Sequence, residues 1–212
     1  NATGQPNVAS AGPDLVGCLG DYPIDLQGSV TNATGGTWSG GAGTYVVQGV
    51  NGQYVPTTGE ITAGGVTLTL TTTGNTTCPP ASDDVYVALS NAFLGSLLTT
   101  SNISCNGAGD GAIAYTPDNA GNNYTWNNGQ TEATAVNLVS GIYTLTVTDA
   151  LGCDTMLTGA ISEPWPLAIT NLTTTNVNCN GGNNGTASVQ VTGGTPAYSI
   201  NWSTGQSGSA IT

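Results

Sequence analysis

The sequence predicts an all-β protein, built as tandem immunoglobulin-like β-sandwich domains in an extended rod, and three observations carry that reading. Apolar residues alternate with threonine in several runs. Gly and Asn clusters break those runs about every ten residues, and one block of sequence returns at a fixed interval. In Val66 to Thr71, Val66, Leu68 and Leu70 fall on one face while Thr67, Thr69 and Thr71 fall on the other. In Gly141 to Thr148, Tyr143, Leu145 and Val147 alternate with Thr144, Thr146 and Thr148. Both runs predict strands. No long helix is expected; Thr57-Thr58-Gly59-Glu60 matches a capping box and predicts a single turn before Ile61. The most apolar stretch, Val85 to Leu98, is interrupted by Ser90, Asn91, Gly95 and Ser96, and so predicts a strand followed by a connector.

The returning block fixes the organisation. LTTSNISCNGAGDG, from Leu98 to Gly111, recurs as LTTTNVNCNGGNNG, from Leu172 to Gly185. TWNNGQ, Thr125 to Gln130, recurs as NWSTGQ, Asn201 to Gln206, with two extra residues in between. The first copy runs on through SGIYTLTVTDALGC to Cys153, whereas the second reaches only Thr212. The expectation is an interior slice of a longer array. Repetition at a fixed period makes each copy one structural unit and favours a fibre over a catalyst.

The cysteines predict the domain edges. Cys18 and Cys78 bracket the first strand-rich block, Cys105 and Cys153 bracket the first copy, and Cys179 opens the second. Bridges Cys18 to Cys78 and Cys105 to Cys153 are therefore expected, with the partner of Cys179 beyond Thr212. Such pairs imply an oxidising, extracellular setting and would each stabilise a domain by roughly 4 kcal/mol in the chain-entropy model. Zinc is disfavoured, because there is no His, no CxxC and no cluster of four thiols. The expected division is an incoming linker over 1–8, a β-sandwich over 9–89, a repeat over 92–164 and an incomplete second repeat over 166–212. Pro164, Trp165 and Pro166 form the last junction, where two prolines restrict the backbone and Trp165 is placed to pack against a neighbouring domain.

Charge excludes whole classes of partner. The chain has no Lys, Arg or His against 12 Asp and Glu, and is 6% charged where an average chain is about 25%. Without cations there is no patch to release counterions and no guanidinium to grip a phosphate, so the sequence predicts no nucleic-acid partner and no membrane insertion. The fold must also stand without salt bridges. That loses little, since exposed pairs are each worth about 0 to 1 kcal/mol.

The residues also carry a family resemblance. The segment over 92–164 resembles a SprB-type repeat, the module of very large gliding and cell-surface adhesins of Bacteroidota. The matching features are Cys105-Asn106-Gly107 with Asp110-Gly111, Trp126 with Asn128-Gly129, Asn137-Leu138, Gly141-Ile142-Tyr143 leading into Val147-Thr148-Asp149, Gly152-Cys153, and Glu163-Pro164. The segment from 166 onward resembles the first half of the same repeat, with Asn184 in place of Asp110. The first block is similar to PKD-like or immunoglobulin-like modules through Gly12-Pro13-Asp14, Cys18, TGGTWSGGAGTY (Thr34 to Tyr45) and GVTLTLTTTGNTTC (Gly65 to Cys78). The resemblance implies a secreted cell-surface adhesin exported by a type IX system and working in gliding motility or surface attachment. It names no ligand; surface glycans or other adhesion targets, and neighbouring repeats or filament subunits, are the expected partners.

Each conspicuous residue has a functional and a plainer reading. Trp38, Trp126 and Trp202 could stack on sugars, yet Trp126 and Trp202 hold one repeat position beside a turn, which favours core. Asp110, Asp149, Asp83 and Asp84 are the candidates for calcium, the one cofactor considered; without a DxDxDG loop, turn capping is the favoured role. Asp154-Thr155-Met156 resembles an acceptor of bacterial O-glycosylation at Thr155, against the alternative of a strand edge after Cys153. No catalytic residue is expected. His, Lys and Arg are absent, and Asp83 and Asp84, adjacent on a strand, would point to opposite faces and could not flank one bond. Two functions remain open: a filamentous adhesin, and a passive extracellular fibre, stalk or sheath with no specific ligand.

Overall fold

The computed structural model describes residues 5–75, 78–116 and 121–212. The first four residues of the expected linker lie outside the described residues. Contacts divide the chain into two compact units, one of Asn1–Ser96, Pro117–Tyr124 and Thr146–Met156, the other of Leu97–Thr116, Thr125–Leu145 and Leu157–Thr212. Segments of the 92–164 stretch fall in both units.

The described chain is nearly all strand. The N-terminal elements are β1 (Val8–Ser10), β2 (Leu15–Gly17), β3 (Ile24–Asp25), β4 (Ser29–Thr31), β5 (Gly35–Ser39), β6 (Thr44–Val47), β7 (Gln53–Val55), α1 (Thr58–Ala63), β8 (Gly65–Thr73) and β9 (Ser82–Leu89). They form a four-stranded sheet β2-β9-β8-β5, a three-stranded sheet β3-β7-β6 and the pair β1-β4. The alternation in β8 does what period two requires: Leu68 and Leu70 are fully buried, and Thr67, Thr69 and Thr71, which alternate with them, are not. Trp38 of β5, Val85 and Val87 of β9, Ile24 of β3 and Tyr54 of β7 complete one shared core, so two sheets bury their apolar faces against each other.

The capping box forms as the sequence predicts. Thr57 Oγ1 accepts from the Glu60 N–H, and Glu60 Oε2 accepts from the Thr57 N–H at 2.7 Å. Gly64, at φ +83°, ends the helix in the left-handed region that favours glycine. Glu60 does more than cap. Its Oε1 accepts from the Tyr54 hydroxyl and from the Ala42 N–H, each at 2.7 Å, tying α1 to the β5–β6 turn. Partial burial works against the Glu60 charge, but these hydrogen bonds outweigh it and hold the carboxyl below its ordinary value near 4.5.

The remaining strands are β10 (Leu97–Ser101), β11 (Gly111–Thr116), β12 (Asn123–Trp126), β13 (Thr134–Leu138), β14 (Gly141–Thr148), β15 (Asp154–Ile161), β16 (Ala168–Thr175), β17 (Thr186–Thr192) and β18 (Ala210–Ile211). They make three sheets, ordered β10-β11-β13, β12-β14-β15 and β16-β17-β18. Tyr143, Leu145 and Val147 of β14 are buried, as their alternation predicts. The stretch Val85 to Leu98 resolves into the end of β9, a connector and the start of β10. Among the described residues no helix is long and apolar enough to cross a membrane.

The disulfide pattern corrects both bridges expected from the sequence. Cys18 is bonded to Cys153, with Cα atoms 5.4 Å apart, and Cys78, Cys105 and Cys179 are free thiols. Strand geometry explains the difference. β2 pairs in parallel with the end of β9, Gly17 opposite Leu89, so Cys18 lies beyond the C-terminal end of β9, whereas Cys78 precedes its first residue, Ser82. The length of β9, about 23 Å at roughly 3.3 Å per residue, separates them, and a disulfide needs Cα atoms within about 7 Å. Cys105 is likewise held at the far end of β15 from Cys153. Its neighbours Asn106 and Gly107 bond the Pro164 carbonyl and the Glu163 carboxylate, which follow that strand, while Cys153 precedes it.

Candidate functional site

The feature repeated in space is a hydrogen-bonded frame set by a few turn residues. In the first copy the Gly129 N–H donates to the Trp126 carbonyl and the Trp126 N–H to the Gln130 carbonyl, each at 2.9 Å. The indole Nε1 donates to the Glu132 carbonyl at 2.9 Å, and Gln130 clamps the main chain of Val136 from both sides of its amide. The second copy repeats the turn and indole bonds and one of the two glutamine bonds. Gly205 donates to Trp202, Trp202 to Gln206, and the Trp202 Nε1 to the Gly208 carbonyl at 2.8 Å. Gln206 Nε2 reaches the Thr212 carbonyl at 3.2 Å. Strand register follows suit, with Ile113 opposite Ala135 in one copy and Ala187 opposite Ile211 in the other.

The cysteine turn is the second repeated element. Ala108 donates to the Cys105 carbonyl, and Gly182 to the Cys179 carbonyl. Asp110 closes the first turn, its Oδ1 accepting from the Ser104 N–H at 3.0 Å and its Oδ2 from the Ser104 hydroxyl at 2.6 Å. Those two bonds hold its carboxyl below the usual value of 3.8. Asn184 does the same work in the second copy with an amide, accepting from the Asn178 N–H at 3.0 Å. Glu163 ties the first turn down, accepting from the Gly107 N–H and from the Ser140 hydroxyl. The sequence marked Glu163 only as part of a resemblance and carried no signal of this role.

The other acidic candidates are also engaged by the fold. Asp149 is buried; its Oδ1 accepts from the Leu151 and Cys153 N–H groups at 2.9 Å, and its Oδ2 from the Ser90 hydroxyl at 2.6 Å. It therefore shapes the turn that presents Cys153 to Cys18. Asp83 accepts from the Ala11 N–H at 2.8 Å, and Asp84 is its exposed neighbour on β9. The structure does not bring these four together: among the described residues no three His, Cys, Asp or Glu side chains gather at a point that could hold a metal ion. Thr155 lies half-buried in β15 next to exposed Met156.

The tryptophans divide by surroundings rather than by bonding. Trp38 and Trp126 are core side chains, whereas Trp202 is half-buried. Trp165 is 83% exposed, and its carbonyl accepts from the Gly194 N–H at 2.6 Å.

Two copies of one β module, recurring in the same register and with the same turn bonds, define an array protein. Residues 171–207 match the family model of the SprB repeat, so that segment is a SprB-type repeat. No curated protein matches the chain.

Proposed function

We propose that this chain is a segment of a very large secreted cell-surface repeat protein that acts as a filamentous adhesin, in surface attachment or gliding motility. The observation that carries the reading is the residue-by-residue recurrence of the Trp and cysteine turns in two copies, one of them matching the SprB repeat. The disulfide is consistent with an oxidising, extracellular location. Catalysis is no part of the proposal, because Asp83, Asp110 and Asp149 are each occupied in holding backbone N–H groups. A passive fibre is the second reading. It is favoured by the recurring Trp, whose indole N–H donates to the protein's own backbone in both copies.

Antibodies raised against the segment test both readings on intact source cells. Gold labelling of surface filaments, with Fab fragments that lower attachment, is the expected result. Labelling without any effect on attachment would favour the passive fibre, and labelling only after permeabilisation would overturn the surface location.

A further inference from the structure

The Cys18–Cys153 bridge joins residues 135 apart in sequence and closes almost the whole of two blocks into one covalent loop. β3 to β14, with α1, lie inside that loop, and β1, β2 and β15 to β18 lie outside it. The apolar interior is enclosed with them. Among the described residues, Ala11 is the one member of the N-terminal core cluster outside the loop, and the buried Ile113, Trp126, Leu138 and Leu145 of the repeat are all within it. Hydrogen bonds seat both cysteines. Ser90 donates its N–H to the carbonyl of Gly17, next to Cys18, at 3.0 Å and its hydroxyl to Asp149 Oδ2 at 2.6 Å. Asp149 in turn accepts from the Cys153 N–H at 2.9 Å and donates its own N–H to the Cys153 carbonyl at 2.8 Å. One buried Ser–Asp pair thus holds the backbone at both ends of the bridge.

We propose that this bridge is a mechanical bypass: tension passing along the chain crosses from Cys18 to Cys153 through the S–S bond, and the backbone of residues 19–152 is not in its path. Tandem modules share one chain, so tension in one is tension in the next. A pulled chain is loaded along its shortest covalent path, and strands off that path are not drawn out by the force. Unbridged, the stretch from Cys18 to Cys153 would extend to about 490 Å at roughly 3.6 Å per residue. Bridged, it contributes a Cα separation of 5.4 Å. The segments that remain extensible, residues 1–17 and 154–212, reach about 270 Å at the same rise. The choice of partners is what makes the loop inclusive. Separate Cys18–Cys78 and Cys105–Cys153 bonds would leave residues 79–104 in the path, whereas the observed pairing shields both blocks at once. The inference goes beyond the adhesin and passive-fibre readings, holds for either, and is tested apart from them.

The test is single-molecule pulling on the 212-residue chain, held by a folded marker domain fused to each end, with the released contour length as the readout. Without reductant the chain should release no more than about 270 Å, and dithiothreitol should add a single further length of about 490 Å. Cys18→Ser and Cys153→Ser should each give the longer length without reductant, while Cys78→Ser and Cys105→Ser should keep the shorter one. Contour length counts backbone, so the comparison stands even where a variant fails to refold. Release of the full length by the unreduced chain would overturn the proposal. So would loss of the lock in Cys105→Ser, or two gains on reduction of about 220 Å and about 170 Å, the lengths that separate Cys18–Cys78 and Cys105–Cys153 bridges would free.

Discussion

Within residues 1–212 the two repeat copies share a hydrogen-bond frame and differ in burial, and the contrast separates what a turn encodes locally from what β14 and β15 bury in the first copy. Trp126 and Trp202 make the same three turn bonds, yet Trp126 is 1% exposed and Trp202 is half-buried. Ile113 and Ala135 are fully buried in the first copy, while their counterparts Ala187 and Ile211 are only partly so. The frame depends on residues within about ten positions of each other, chiefly Gly at the αL corner and Gln as a side-chain clamp on the main chain. Burial depends on β14 and β15, far along the sequence.

Truncating the repeated tryptophan is the sharpest way to break this comparison. Trp126→Ala should cost about 3–5 kcal/mol, the range for emptying a filled aromatic site, whereas Trp202→Ala should cost about 1 kcal/mol or less. Denaturant unfolding followed separately in the two copies checks the difference; equal losses would mean that both indoles are core. Removing the bridge comes next. Cys153→Ser should destabilise the unit containing Cys18 by about 2–5 kcal/mol, and Cys105→Ser should leave it unchanged. Peptide mapping without reduction should recover Cys18 joined to Cys153.

Much of the fold was legible because it is local. The alternation in β8, the capping box at Thr57 and the buried Trp126 follow from period, turn chemistry and repeat position. The disulfide pairing was not legible, because it depends on β2 pairing in parallel with the end of β9, and nothing within either segment announces a partner some 70 residues away. The role of Asp149 was hidden for the same reason: its hydroxyl partner, Ser90, is 59 residues distant. Asp83, Asp110 and Asp149 could be read as acidic, but only the structure assigns each its own N–H groups.

Acid should produce a smaller effect, again different in different places. The Glu60 carboxyl is held below its ordinary value in the folded protein, so its contribution is fully present above that value and is lost as pH falls through the lower, folded one. Glu60→Gln should cost about 1–2 kcal/mol at neutral pH and flatten the acid limb of the stability curve of that unit. The smallest effect contrasts Asp110 with Asn184. The Asp110 carboxyl is also held low, so the first cysteine turn should loosen as pH drops below 3.8 while the second, closed by an amide, does not. Amide chemical shifts of Ser104 and Asn178 across that range check it, and Asp110→Asn should abolish the Ser104 titration.

Residue-resolved hydrogen exchange on the 212-residue chain tests the central claim most directly, that one locally encoded frame is present in both copies while the core closes only where β14 and β15 cover it. The Tyr115, Trp126 and Gly129 amides and their counterparts Val189, Trp202 and Gly205 should show the same pattern of protection, with the second set exchanging faster through local opening. Unprotected amides at Val189, Trp202 and Gly205, or protection there equal to that of the first copy, would contradict it.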